Sequence, residues 1–517
     1  MLAVAAAIWV AGAGYASAAS KPAQPAAAGS WTVYHHDAAG TGVAGPVAAV
    51  DTSTRAWTSP ALDGQIYGEP LVSAGRVYVA TENDTVYALS AATGAVAWSA
   101  HLGRPVPAGL LPCGDISPTV GITGTPVIDP SRDEIFVVAD ELVSGRPAHM
   151  LIGLSTATGR PELTQDVDPA GADTAALLQR TGAALDAGRV VFGFGGNDGD
   201  CAAYRGRLVA VPEAGGKPAY FTVDAAAGES QGAIWMGGAA PAVDRRGHLW
   251  VSVGNGSVYS SRHPYDDSDS ALELSPSLRL LQFFAPRTWA SDNRQDLDMS
   301  TVPVLLSDGQ VLLTGKSRIV YLLNGARPGG IGGEQAALGP VCGSDIDGGA
   351  AVVGTTAYLP CLSGIIAVRA TRSPAGLRLL WSSGTGGGPP IVAAGLVWTI
   401  GRNGTLYGLD PGTGRVRQQA PIGPPANHFP TPSVGAGLLL APSADRVVAF
   451  AAPAAGAPSP GAAPSPVTSP ATPPASRAGR PPAAGGGVPL AAVVGLVAGG
   501  VLVIGGIGWL FRRRTGS

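Results

Sequence analysis

Two carboxylates stand two residues apart in Asp296-Leu297-Asp298. Side chains alternate along a β-strand, so this spacing would turn both acids to one face. A solvated surface pair is the alternative. His35-His36 is an adjacent histidine pair, open to a metal site or, more simply, a turn cap. Asn255 lies in Gly254-Asn255-Gly256, a triplet that also reads as a turn, because Asn tolerates the left-handed backbone. Four cysteines occur: Cys113, Cys201, Cys342 and Cys361. An even count in an exported domain points to two disulfides, and three pairings are possible. Cys342–Cys361 is favoured by nearness in sequence, and Cys113–Cys201 follows by elimination; metal ligation is the alternative. No CxxC or CxxCH occurs, so zinc ribbons and attached haem have no support. No His-Glu-x-x-His or P-loop is found, so zinc-hydrolase and nucleotide chemistries have none either.

The elements that must position these residues are repeats. Val86-Tyr87-Ala88-Leu89, Thr93-Gly94 and Trp98 have a counterpart in Leu406-Tyr407-Gly408-Leu409, Thr413-Gly414 and Val416. Leu151 to Leu163, with Thr158-Gly159, is a third copy, and weaker copies begin near Leu208, Ala271, Val320, Ile365 and Val447. Each copy is an alternating strand, a Thr-Gly turn and another strand. A Gly-rich turn and a strand precede it, as in Gly75 to Ala80 and Gly395 to Ile400. One four-stranded sheet cannot bury both faces alone, whereas radial stacking can. Eight copies predict an all-β, eight-bladed β-propeller over residues 31–451, with a paired β-sandwich as the rival. The last copy is one strand short, and Thr54 to Leu62 is the expected closing strand, donated from the other end of the chain. No convincing amphipathic helix is expected in the domain.

The ends supply an address. Residues 1–19 are small and apolar and end in Ala16-Ser17-Ala18-Ala19, which reads as a signal peptide, or else an uncleaved anchor. Residues 452–487 form a Pro/Ala/Ser/Gly-rich linker that cannot bury apolar area and stays extended. Residues 488–511 carry no charge and are long enough for a transmembrane helix. Arg512, Arg513 and Arg514 follow, so the positive-inside rule puts the 512–517 tail in the cytoplasm and the propeller outside. This predicts a single-pass protein of the cell membrane.

With 75 Gly and 45 Pro in 517 residues, and 13% charged residues, a turn-rich fold competes with disorder. A net charge of −3 argues against nucleic acid as a partner.

The Val-Tyr-Ala-Leu…Thr-Gly…Trp unit resembles the repeat of quinoprotein, or PQQ-like, β-propellers. That family includes PQQ-dependent alcohol dehydrogenases and a non-enzymatic propeller of outer-membrane protein assembly. The opening Trp31 to Asp37 is similar to the start of such domains. Residues 231–325 resemble the dehydrogenase active-site region, in the same order. The resemblance implies that Trp235 lies flat against the quinone; a blade-packing role is the alternative. It likewise implies Asn255 as a ligand of Ca²⁺ or a related metal, Asp296 as the catalytic acid–base group, and Asp298 as a second metal ligand. Lys316 matches a basic residue that hydrogen-bonds the quinone oxygens, and it is one of three lysines in the chain. The adjacent-cysteine pair of the dehydrogenases is missing here. Their metal-binding glutamate is missing as well; Asp198 or Asp200 stands near its place in Gly196 to Cys201. Without a haem motif, electrons would need an external acceptor.

Two functions follow. One is a membrane-anchored extracytoplasmic propeller that binds a small molecule or a protein as a scaffold. The other is a PQQ- and metal-dependent dehydrogenase of an alcohol or sugar. Geometry separates them, because the enzyme needs Trp235, Asn255, Asp296, Asp298 and Lys316 around one axial cavity.

Overall fold

A computed structural model describes residues 29–223 and 228–453. Eight sheets of four or five strands, antiparallel but for one parallel pairing of Leu280–Ala285 with Gly330–Ile331, follow one another along the described residues. The first blade runs from its innermost strand Leu71–Ser73 through Arg76–Ala80 and Thr85–Ser90 to the outer strand Val96–His101. The second repeats this order from Val127–Asp129 to Pro161–Asp166, with two ten-residue middle strands, Glu134–Val143 and Arg146–Ser155. Middle strands are buried on both faces, so they read as apolar runs; Thr356–Cys361 is buried throughout. Outer strands are exposed along much of their length, as in Val96–His101.

The closing strand is where the repeat deficit places it. Arg55–Thr58 pairs antiparallel with Arg446–Ala451, and Trp57 stands opposite Ala449. The last blade is therefore built from both ends of the described chain. Innermost strands also meet around the ring: Leu71–Ser73 contacts both Ser433–Gly435 and Val127–Asp129. The segment before the closing strand laces several of them together. Trp31 pairs with Val72, Thr32 O accepts from Ile128 N at 2.8 Å, and Ala38 O accepts from Val243 N at 2.6 Å. Thr41 O then accepts from Val352 N, and Gly42 O from Val392 N.

The Thr-Gly turn and the Trp of the repeat explain each other. Trp57 donates from Nε1 to Ala91 O at 2.8 Å, and its ring covers Gly94 of the next blade; a Cβ there would lie 2.4 Å from the ring. Trp98 covers Gly159 and Trp381 covers Gly414 in the same way. Each glycine also has a left-handed φ of about +70°. The repeat is thus a docking joint between neighbouring blades.

Both disulfides have the expected partners, Cys113–Cys201 and Cys342–Cys361. His35 and His36 lie in a turn, with φ of 55° and 78°. His35 is fully buried, its N–H donates to Glu69 Oε2 at 2.8 Å, and burial pushes its imidazole pKa down to about 3, so it is neutral. That matches a turn role. One expectation fails: a seven-residue α-helix, Trp289–Gln295, interrupts the all-β pattern. Residues 1–19, the bulk of the 452–487 linker, the 488–511 span and the 512–517 tail lie outside the described residues. Among the described residues no helix is long and apolar enough to cross a membrane.

The ring-closure joint is testable. Trp57→Ala should lower unfolding free energy by about 3–5 kcal/mol, the usual cost of removing a large buried aromatic. Urea denaturation reads the loss; a stability equal to wild type would show that the closing strand contributes nothing to the ring.

Candidate functional site

The short helix Trp289–Gln295 is the device that delivers the acids. Its capping residue Asp296 adopts a left-handed conformation (φ 57°, ψ 48°), which short polar side chains tolerate, and the chain then turns into Leu297 and Asp298. Strand alternation, the expected cause of their shared face, is therefore replaced by a helix cap. The outcome is nevertheless convergence. Lys316 Nζ lies 2.9 Å from Asp296 Oδ1 and 2.6 Å from Asp298 Oδ2. Asn255 donates from its backbone N–H to Asp298 Oδ1 and from its amide Nδ2 to Asp296 Oδ1, each at 2.6 Å.

Trp235 completes the group, with the Lys316 ammonium 5.6 Å from its ring centroid. It begins the tight turn Met236–Gly238, in which Gly237 (φ 55°) comes against the backbone at Gly348. Two further glycines allow the close approach. A Cβ on Gly254 would lie 2.4 Å from Asp298 Oδ1, and one on Gly315 would lie 2.0 Å from Asp298 O. The Lys316 backbone N–H donates to that same carbonyl at 3.0 Å, so the lysine is tied to the acid it pairs with. All five expected residues therefore share one site.

The two remaining acids do not join the hydrogen-bonded group. Asp198 is exposed, and Asp200 accepts a hydrogen bond from Tyr204 Oη at 2.6 Å. The Cys113–Cys201 bridge pins the loop that carries them; Gly199 packs close to Cys113. The fields of Asp298, Asp296 and Lys316 still reach the Asp200 carboxyl.

Charge balance decides the chemistry available. Burial opposes a charge on Lys316, but Asp298 and Asp296 overcome this and hold its pKa above the usual lysine range. Burial raises the Asp298 carboxyl, and Lys316 offsets part of that rise. Behind them sit acids that the sequence pattern did not single out. Asp269 is fully buried, and burial, then Asp298, pushes its pKa well up. Asp347 is pushed up to about 7, again by burial. The run Asp266-Asp267-Ser268-Asp269 was a visible acidic signal, but nothing local marks which acid is enclosed. Phe429 was missed as well; it packs on Trp235 with ring centroids 6.0 Å apart. Phe429, Tyr34, Glu69 and Arg180 line a narrow cavity of about 10 Å³, the room of roughly one water.

The fit to a divalent metal is poor. A hard cation needs several oxygen ligands with enough negative charge. Here the ammonium already bridges both carboxylates, and Asn255 turns its amide N–H₂ toward Asp296, leaving its Oδ1 buried without a partner. Among the described residues, one set of three acid or histidine ligand atoms lies close enough for an ion: Asp244, His248 and Glu273, with Arg246 paired to both acids. It is a different place.

Asp269 yields a pH prediction. Its raised pKa means the folded protein prefers the protonated acid. The stability it contributes is full below the ordinary Asp range and is lost as pH rises through the folded value. Asp269→Asn should therefore have a higher urea midpoint than wild type near pH 7.5, with the two converging near pH 4. A constant difference across that range would contradict a protonated Asp269.

A family model described as outer membrane protein assembly factor BamB matches residues 43–262. A search of curated proteins finds no match. Among solved structures, a quinohemoprotein alcohol dehydrogenase from Comamonas testosteroni is similar, with TM-score 0.63 and 15% identity over 86% of this chain and 84% of that one. One from Pseudomonas putida has TM-score 0.60 and 14% identity over 85% and 82%. A europium-containing methanol dehydrogenase has TM-score 0.60 and 14% identity over 82% and 98%. At such identities the likeness is one of fold. The repeat, the eight closed blades and these likenesses together give the chain the fold of quinoprotein-like, PQQ-like β-propellers.

Proposed function

We propose that the protein is a membrane-anchored, extracytoplasmic propeller that acts as a scaffold for a protein or small-molecule ligand. The observation that carries this reading is the state of the would-be metal ligands. Asp296 and Asp298 are both paired with Lys316, and neither Asp198 nor Asp200 supplies a third carboxylate. The family model named for an outer-membrane assembly factor supports a protein partner. The anchoring and the outward orientation rest on residues 1–19 and 488–514 of the sequence.

The second reading is a PQQ- and metal-dependent dehydrogenase of an alcohol or sugar. It is favoured by the gathering of Trp235, Asn255, Asp296, Asp298 and Lys316, and by the alcohol and methanol dehydrogenases among the similar folds. On that reading PQQ with Ca²⁺ or a related metal is the cofactor pair, Trp235 and Lys316 face the quinone, and Asp296 moves the substrate hydroxyl proton.

The two are separated by titrating PQQ with Ca²⁺ into the purified protein and following dye reduction with alcohols and sugars. No turnover above background is expected. Reduction that requires PQQ and disappears in Asp296→Asn would establish the enzyme instead.

A further inference from the structure

We propose that the ammonium of Lys316 is the resident cation of this site, standing in for a divalent ion, and that the protein binds no divalent metal there. The inference deepens the scaffold reading and rests on it.

The argument starts from distances. Hard divalent ions of calcium size sit 2.3–2.6 Å from carboxylate oxygens. The Lys316 nitrogen lies 2.6 Å from Asp298 Oδ2 and 2.9 Å from Asp296 Oδ1, so it takes nearly the place such an ion would take between the same two acids. A second cation would have to approach an ammonium already in contact with both.

The remaining donors agree. Asp298 Oδ1 is taken by the Asn255 backbone N–H. Asn255 presents Nδ2, a hydrogen-bond donor, to Asp296 Oδ1. A cation would require the reverse orientation, with the amide oxygen inward. As it stands, that oxygen is buried and faces away from Asp296.

Lys316 is also held in place rather than resting there. Its backbone N–H bonds Asp298 O at 3.0 Å. The preceding Gly315 permits that approach, because any Cβ would overlap the same carbonyl. The side chain is one-fifth exposed and lies over Trp235. Its charge is the only positive one within ion-pair distance of Asp296 and Asp298 among the described residues. Removing it would leave the Asp298 and Asp296 carboxylates without their cation, and a flip of the Asn255 amide would turn its oxygen toward the same space, which is what a hard cation binds.

The test uses the full chain without PQQ. Tb³⁺ is the probe, read by emission sensitised through Trp235, with Ca²⁺ as competitor. Wild type, Lys316→Ala and Asp298→Asn are titrated together. Lys316→Ala is expected to acquire a saturable, Ca²⁺-displaceable site at least about tenfold tighter than anything in wild type. Lys316→Gln, neutral but similar in length, replaces it if the alanine variant does not fold. Saturable binding in wild type that is lost in Asp298→Asn overturns the proposal. So does a lysine variant that gains no site, because the vacated position would then not be a cation position. The outcomes are independent of the functional reading. Metal binding by wild type without dye reduction would sink this inference alone. PQQ-dependent turnover without metal binding would sink the scaffold reading alone.

Discussion

Everything in the molecule depends on closing the ring. Eight sheets buried on both faces are stable only if each has a neighbour on either side, and an open row would expose two apolar faces. Arg55–Thr58 removes that exposure by completing the last blade against Arg446–Ala451. Trp57 on this strand then docks over Gly94 of the first blade, so one short segment both completes a sheet and joins it to the next. The lacing from Trp31 to Gly42 adds backbone bonds to the innermost strands of several blades, which brings distant parts of the chain to a common centre.

Closure gives the site its rigidity and also its problem. The loops around Trp235, Asn255, Asp298 and Lys316 meet within a few ångströms, and several of their acids are cut off from water. Buried carboxylates need protons, partners or cations. Asp298 has Lys316 and the Asn255 amide as partners. Asp269 has no cation beside it, and burial, then the field of Asp298, raises its pKa. One lysine therefore balances an excess of negative charge, and its placement governs what else can bind.

The same fold serves catalysts and scaffolds, so likeness to alcohol and methanol dehydrogenases carries no chemistry by itself. At this site the two uses would differ in the balance of charge and space. Here Phe429 packs against Trp235, and the Lys316 ammonium bridges Asp296 and Asp298.

Repeat spacing made the architecture legible, because blade geometry demands the same Thr-Gly turn and Trp at each joint; Trp57 and Gly94, Trp98 and Gly159, and Trp381 and Gly414 meet for that reason. The missing strand was legible from a count of strands per repeat. The disulfide partners were legible from nearness and parity. The membership of the site was legible only through likeness to a family, and its acid pair converged by a helix cap at Asp296 rather than by strand alternation. The sequence alone determined which residues were available and that the chain would close on itself. Tertiary structure decided the charge state of the site: which acid is enclosed, which way Asn255 turns its amide, and where the ammonium of Lys316 rests. Those outcomes depend on distances of a few ångströms between residues tens of positions apart, and electrostatic energy in a poorly solvated interior varies steeply over that range.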